Sequence, residues 1–126
     1  MYNTNMENIE QSESFKLAKE LLGKEVSVKF DRPLGSTHPK HGFTYEVNYG
    51  FIEGIMALDG EELDAYYLGT EEPLENATGK VVAIAHREDN DDDKLIVAPE
   101  GVDFTDEEIL EKINFQEKWF KTIIVR

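Results

Sequence analysis

Two short runs of this chain concentrate groups able to hold a divalent cation. DGEELD carries Asp59, Glu61, Glu62 and Asp64, and EDNDDD places five carboxylates in the six positions from Glu88 to Asp93. Carboxylates held this close raise one another's pKa unless a cation neutralises them. Hard oxygen ligands in such number suit Mg2+ or Mn2+. A dication bound among them can acidify a coordinated water into a nucleophile. The plainer reading is that turns are polar and that aspartate is a favoured turn residue. One metal site is excluded by spacing. Asp89, Asp91, Asp93 and Glu100 match the first, third, fifth and twelfth positions of an EF-hand loop, but Lys94 stands where its bend requires glycine.

The elements around these runs follow from hydrophobic periodicity. Phe15, Leu17, Ala18, Leu21 and Leu22 recur at helical spacing within SESFKLAKELLGK, and Gly23 is a stop. Val26, Val28 and Phe30 alternate with polar residues, which predicts a strand. DRPLGSTHPKHG, with two prolines and two glycines, reads as loop. Alternation resumes from Phe43 to Leu68, with Asp59-Gly60 as a hairpin signal. GTEEPLENATG is assigned to loop, and KVVAIAH and KLIVAP to core strands joined by the acidic turn. TDEEILEKINFQEKWF is a helix with a Thr105/Glu108 capping box and an apolar side of Ile109, Ile113 and Phe120, with Trp119 assigned to the core. TIIV adds a last short strand. Consecutive strands with two helices predict an α+β fold, a small five- to six-stranded OB-like β-barrel with two flanking helices. Residues 1–12 are polar and aperiodic and are read as a mobile leader. Residues 13–126 form a single barrel domain.

Composition narrows the function classes. The 126 residues carry a net charge of −14, from 27 acidic and 13 basic side chains. No basic stripe is present to displace counterions from phosphates, so nucleic acid is not the expected partner. No run approaches the ~18 apolar residues of a membrane span. The absence of cysteine removes disulfides and thiol chemistry and makes a reducing cytoplasm the default setting.

The ordered landmarks YEVNYGFIEG, DGEELDAYYLG and GKVVAIAHREDNDDDKLIVAP resemble the soluble, family I inorganic pyrophosphatases over about residues 25–120. That family runs Y-P-x-N-Y-G-(Y/F)-I, D-G-D-P-x-D, then an acidic turn, D-x-K and an apolar strand with proline. The resemblance implies a Mg2+-dependent hydrolase, with Mn2+ as substitute, acting on pyrophosphate or a related small phosphorylated substrate. It implies Asp59, Asp64 and Asp92 as the tightest metal ligands, with Asp64 bridging a second ion and Asp89, or Asp91 in this shortened turn, holding metal on the substrate side. The metals then activate water and clamp the diphosphate oxygens. Lys94 binds phosphate as a point charge, and Tyr49 hydrogen-bonds it. Bacterial members form hexamers, which makes a homo-oligomer one expectation, while the shortened loops argue for fewer such contacts.

The departures are specific. Glu61 replaces the middle aspartate of D-G-D that helps to activate water. The early E-x-P is matched by Asp31-Arg32-Pro33, which makes Asp31 a metal candidate, and the lysine that follows it is matched by Lys40. The phosphate-gripping arginine before N-Y-G has no counterpart at its usual distance. GSTHPKH stands there instead, so Arg32, His38, Lys40 and His41 are the substrate-binding candidates. Two other readings compete with the hydrolase. One is a non-catalytic relative that binds a metal–diphosphate or a nucleotide. The other is an acidic interaction domain without metal or substrate.

Overall fold

Val26, Val28 and Phe30 are buried and their neighbours exposed, as alternation requires, along the first strand β1 (Glu25–Arg32). The computed structural model describes residues 13–56, 60, 62–89 and 92–126. The expected leader over 1–12, with Asp59, Glu61 and Asp91, lies outside the described residues. Helix α1 (Glu13–Leu21) precedes β1, and β2 (Asn48–Met56), β3 (Glu62–Tyr67), β4 (Asn76–Arg87) and β5 (Asp92–Ala98) follow. Helix α2 (Asp106–Glu117) and β6 (Thr122–Val125) complete the chain. The Thr105/Glu108 capping box opens α2 as expected.

The strands pair in the order β1-β2-β3-β5-β4-β6, and β4 pairs back onto β1. Five strands therefore close into a barrel, with β6 on its outside. This is the OB-like α+β architecture read from the strand count. Two differences from the sequence reading bear on function. Asn76–Gly79 belong to β4 and not to a loop, because Ala77 and Gly79 pair with Val28 and Val26 to close the barrel. The barrel is also not wholly antiparallel: β3 and β5 run parallel, with Asp64 opposite Lys94. Parallel neighbours begin at the same rim. The two strands that leave the two acidic turns therefore start side by side.

Every barrel strand supplies residues to an inner core that includes Val28, Ile52, Ala65, Tyr67, Ile84 and Leu95, closed by Ala18 and Leu21 of α1. A second core, containing Tyr66, Ala83, Ala85 and Ile96, lies between the outer wall and Ile109, Ile113 and Phe115 of α2. Phe115, not Phe120, completes the buried stripe of α2. A register shift between Val81 and Ala83 divides β4 between these cores. Before it, Val81 points inward. After it, Ile84 points inward and Ala83 and Ala85 outward, so Arg87 falls on the outer face with the site residues. A bulge of one residue turns every later side chain to the other face.

The N-Y-G landmark is a packing device. Buried Asn48 accepts from the amides of Leu34 (2.8 Å) and Leu74 (3.1 Å) and donates to the Glu72 carbonyl (2.9 Å), tying two loops to β2. A Cβ on Gly50 would stand 1.8 Å from the Lys29 carbonyl oxygen. Backbone cannot yield as a flexible side chain does, so Gly50→Ala is expected to cost about 3 kcal/mol or more. Denaturant melts of the variant check this, and an unchanged midpoint would show that β1 and β2 do not pack as described.

Candidate active site

Asp64 and Asp92 meet at one ammonium. Lys94 Nζ lies 2.9 Å from Asp64 Oδ2 and 3.1 Å from Asp92 Oδ2, with the lysine side chain buried and both carboxylates half-exposed. Period-two alternation sets Asp92 and Lys94 on the same face of β5, and the parallel register carries Asp64 to the same level. Asp93, one step along, faces the opposite way, where it takes His86 Nδ1 at 2.6 Å and the Ser14 hydroxyl at 2.7 Å. The acidic run is thereby divided between two faces. His86, stacked on Phe15 at 4.4 Å, is a packed and hydrogen-bonded histidine, as a core strand suggests.

Tyr49 donates to Asp64 Oδ2 at 3.0 Å. Burial first, and then the Asp64 charge, push its phenol pKa well above the ordinary value. It therefore remains protonated at neutral pH and acts as a donor. Tyr66, two residues beyond Asp64 on the same face, is fully buried.

Arg87 and Glu117, which sequence reasoning missed, anchor the floor of the site. Glu117 accepts from Arg87 Nε at 2.9 Å and from NH2 at 2.7 Å, and both side chains are buried. Tyr66 and Thr122 each donate to Glu117 at 2.6 Å. Gln116 donates to the Tyr66 hydroxyl at 2.6 Å and accepts from Tyr45 at 2.8 Å. Among the described residues no buried side-chain nitrogen or oxygen lacks a partner. Burial opposes the charge on Arg87, but the hydrogen bonds and charge of Glu117 outweigh it and raise the guanidinium pKa. Burial likewise opposes the Glu117 carboxylate, and the donors from Arg87, Thr122 and Tyr66 prevail and lower its pKa. The remaining nitrogen, NH1, is 3.2 Å from Asp92 Oδ2, and the guanidinium stacks on Phe120 at 3.8 Å. A basic residue ending a core strand beside an acidic turn was the available signal. Its face depends on the β4 bulge, which periodicity does not reveal.

The loop after β1 folds into a small hairpin through Thr37 and Thr44. At its tip His38 Nδ1 accepts from the amides of Lys40 and His41, both at 3.1 Å. Desolvation, followed by the nearby charges of His41, Arg32 and Lys40, lowers the His38 pKa and favours the neutral ring. A cavity of about 710 Å³ runs from this hairpin to the carboxylates. Asp31, Arg32, His38, His41, Tyr49, Asp64 and Lys94 among the candidates line it, joined by Arg87. Asp92 reaches it through Arg87 and Lys94. Lys40 is exposed and is not part of the lining. Asp89 accepts from the Lys121 amide at 3.1 Å instead. Trp119 is not core: it is 56% exposed and forms part of the cavity wall. Helix α2 ends at Glu117, before its turn would have carried Trp119 under the sheet.

The donor set suits a hard divalent cation in kind, since Asp64 and Asp92 bring carboxylate oxygens together at the Lys94 ammonium. Among the described residues no three metal-binding side chains stand close enough to hold an ion by themselves. Asp59, three residues past β2, is the candidate that would add to the pair.

A family model described as "Pyrophosphatase: Inorganic pyrophosphatase" matches residues 8–124. A comparison with curated proteins finds no match. Among solved structures, the chain is similar to an inorganic pyrophosphatase from Thermus thermophilus, with 20% identity and a TM-score of 0.55, covering 81% of this chain and 80% of that one. It is similar to one from Coxiella burnetii at 20% identity and a TM-score of 0.55, covering 79% of this chain and 83% of that one. A Neisseria gonorrhoeae inorganic pyrophosphatase gives 23% identity and a TM-score of 0.55, over 74% of this chain and 71% of that one. At these identities the solved structures speak for the fold.

Proposed function

The chain belongs to the inorganic pyrophosphatase family of diphosphate hydrolases, and from that premise we propose that it splits pyrophosphate with Mg2+ held by Asp59, Asp64 and Asp92. The observation that carries the proposal is the meeting of Asp64 and Asp92, from the two acidic turns, at the Lys94 ammonium. When bound, Mg2+ supplies Lewis-acid stabilisation of phosphoryl charge and lowers the pKa of water.

The side chains of this protein do the rest. Lys94 receives a phosphoryl oxygen as a point charge, and Arg87, held rigid by Glu117, offers NH1 as a second fixed donor. Tyr49 donates a hydrogen bond and keeps its proton. Arg87 thus stands in for the phosphate-gripping arginine that the shortened hairpin lacks. Glu61 accepts the proton of the attacking water. Water attacks directly, and among the described residues lining the cavity there is neither serine nor cysteine to intervene as a nucleophile. The setting is a reducing cytoplasm, in keeping with a sequence without cysteine.

Orthophosphate release from pyrophosphate tests the proposal. Multiple turnovers are expected with Mg2+, and chelation is expected to lower the rate about a hundredfold or more, since the ion supplies several kcal/mol of stabilisation. Binding without turnover would make the protein a diphosphate receptor instead. Turnover indifferent to chelation would remove the metal from the mechanism.

A further inference from the structure

The cavity holds more than a diphosphate needs. Inorganic pyrophosphate has no apolar surface, yet one end of the cavity is walled by aromatic rings. Trp119 lies 5.5 Å from Phe43, Phe43 lies 5.3 Å from Tyr45, and Tyr45 lies 5.5 Å from Tyr49. Lys94 sits over Tyr49 at 5.8 Å. The row therefore leads from a solvent-open indole to the charged groups. His38, 4.9 Å from Phe43, and His41, 4.8 Å from His38, extend the wall. A volume of about 710 Å³ suits a ligand much larger than a bare diphosphate. Trp119 is 56% exposed and carries the Lys118 ammonium over its ring at 4.8 Å, and the aromatic surface left in water is a platform for a planar base with a cation beside it.

We infer that the site takes a nucleoside diphosphate, its base against Trp119 and its diphosphate against Lys94 and Arg87. The inference rests on the hydrolase reading for its chemistry but not for its binding. In the reaction a water oxygen bonds to the terminal phosphorus and the bridging P–O bond breaks. The nucleoside monophosphate leaves with the bridging oxygen, orthophosphate is the second product, and the released proton passes to solvent.

Trp119 is the only tryptophan in the sequence, so its emission reports the wall directly. Titration with α,β-methylene-ADP is expected to quench it, and methylenediphosphonate to displace the nucleotide without comparable quenching. Trp119→Ala, at an exposed position, is expected to lower the ratio of kcat/KM for ADP over pyrophosphate by about tenfold. Absent quenching, or an unchanged ratio, overturns the inference while pyrophosphate turnover leaves the hydrolase reading intact. Quenching without any turnover overturns that reading and supports the ligand class. With neither quenching nor turnover, both fall.

Discussion

Replacing Asp64 with asparagine is expected to slow Mg2+-dependent pyrophosphate hydrolysis at least about a hundredfold, with little change in stability. The substitution keeps the shape of the side chain and removes its charge. That charge is the proposed metal ligand, and it orients the Lys94 ammonium at 2.9 Å and the Tyr49 hydroxyl at 3.0 Å. Groups aimed at developing charge are typically worth a factor of about 10²–10³ each. The folded state loses less, because the Asp64 side chain is 38% exposed and solvent screens its pair with Lys94. Steady-state rates with thermal melts on the same sample separate the two effects. Equal rates for the two proteins would remove Asp64 from the chemistry and the hydrolase assignment with it.

Glu117→Gln is expected to have the opposite profile in stability, a loss of about 3 kcal/mol. Arg87 and Glu117 are both buried, and removing one charge leaves the other uncompensated. For a chain of this length the melting temperature should fall by roughly 10 °C. The variant also carries a pH signature. Glu117 has its pKa lowered in the folded protein, because the donors from Arg87, Thr122 and Tyr66 outweigh the cost of burial. A depressed carboxylate contributes stability above its unfolded pKa and loses it as the pH falls through the folded value. Wild type and variant should therefore differ most near neutrality and converge as the pH drops below the ordinary glutamate range. Melting curves at a series of pH values measure the convergence. A constant gap would place the stabilisation in packing and not in the charge.

Part of the candidate site was legible in the sequence. Asp64, Lys94 and Tyr49 line the cavity and Asp92 joins them, because turns rich in carboxylate at strand junctions and the D-x-K spacing are local features. The loop carrying Arg32, His38 and His41 also faces that cavity. Lys40 and Asp89 are not brought to it, and for a local reason: Lys40 sits at an exposed tip, and Asp89 satisfies the Lys121 amide. The place of Arg87 at the end of a core strand was a weak signal, but its pairing with Glu117 left no pattern to read. The two are thirty residues apart in the chain and meet only once α2 packs on the barrel.

Period-two alternation, a capping box, turn glycines and apolar runs are set by neighbours a few residues away. From them the residues alone determined most of the strands, both helices, the small barrel class and two acidic runs at strand junctions, while the Asn76–Gly79 pairing that closes the barrel was not read. The parallel pairing of β3 with β5 and the bulge in β4 were decided by the tertiary structure. Each depends on contacts between distant strands, where burial of one face against another selects among registers that are locally equivalent. The first brings the carboxylates of two turns to one ammonium, and the second turns an arginine toward them.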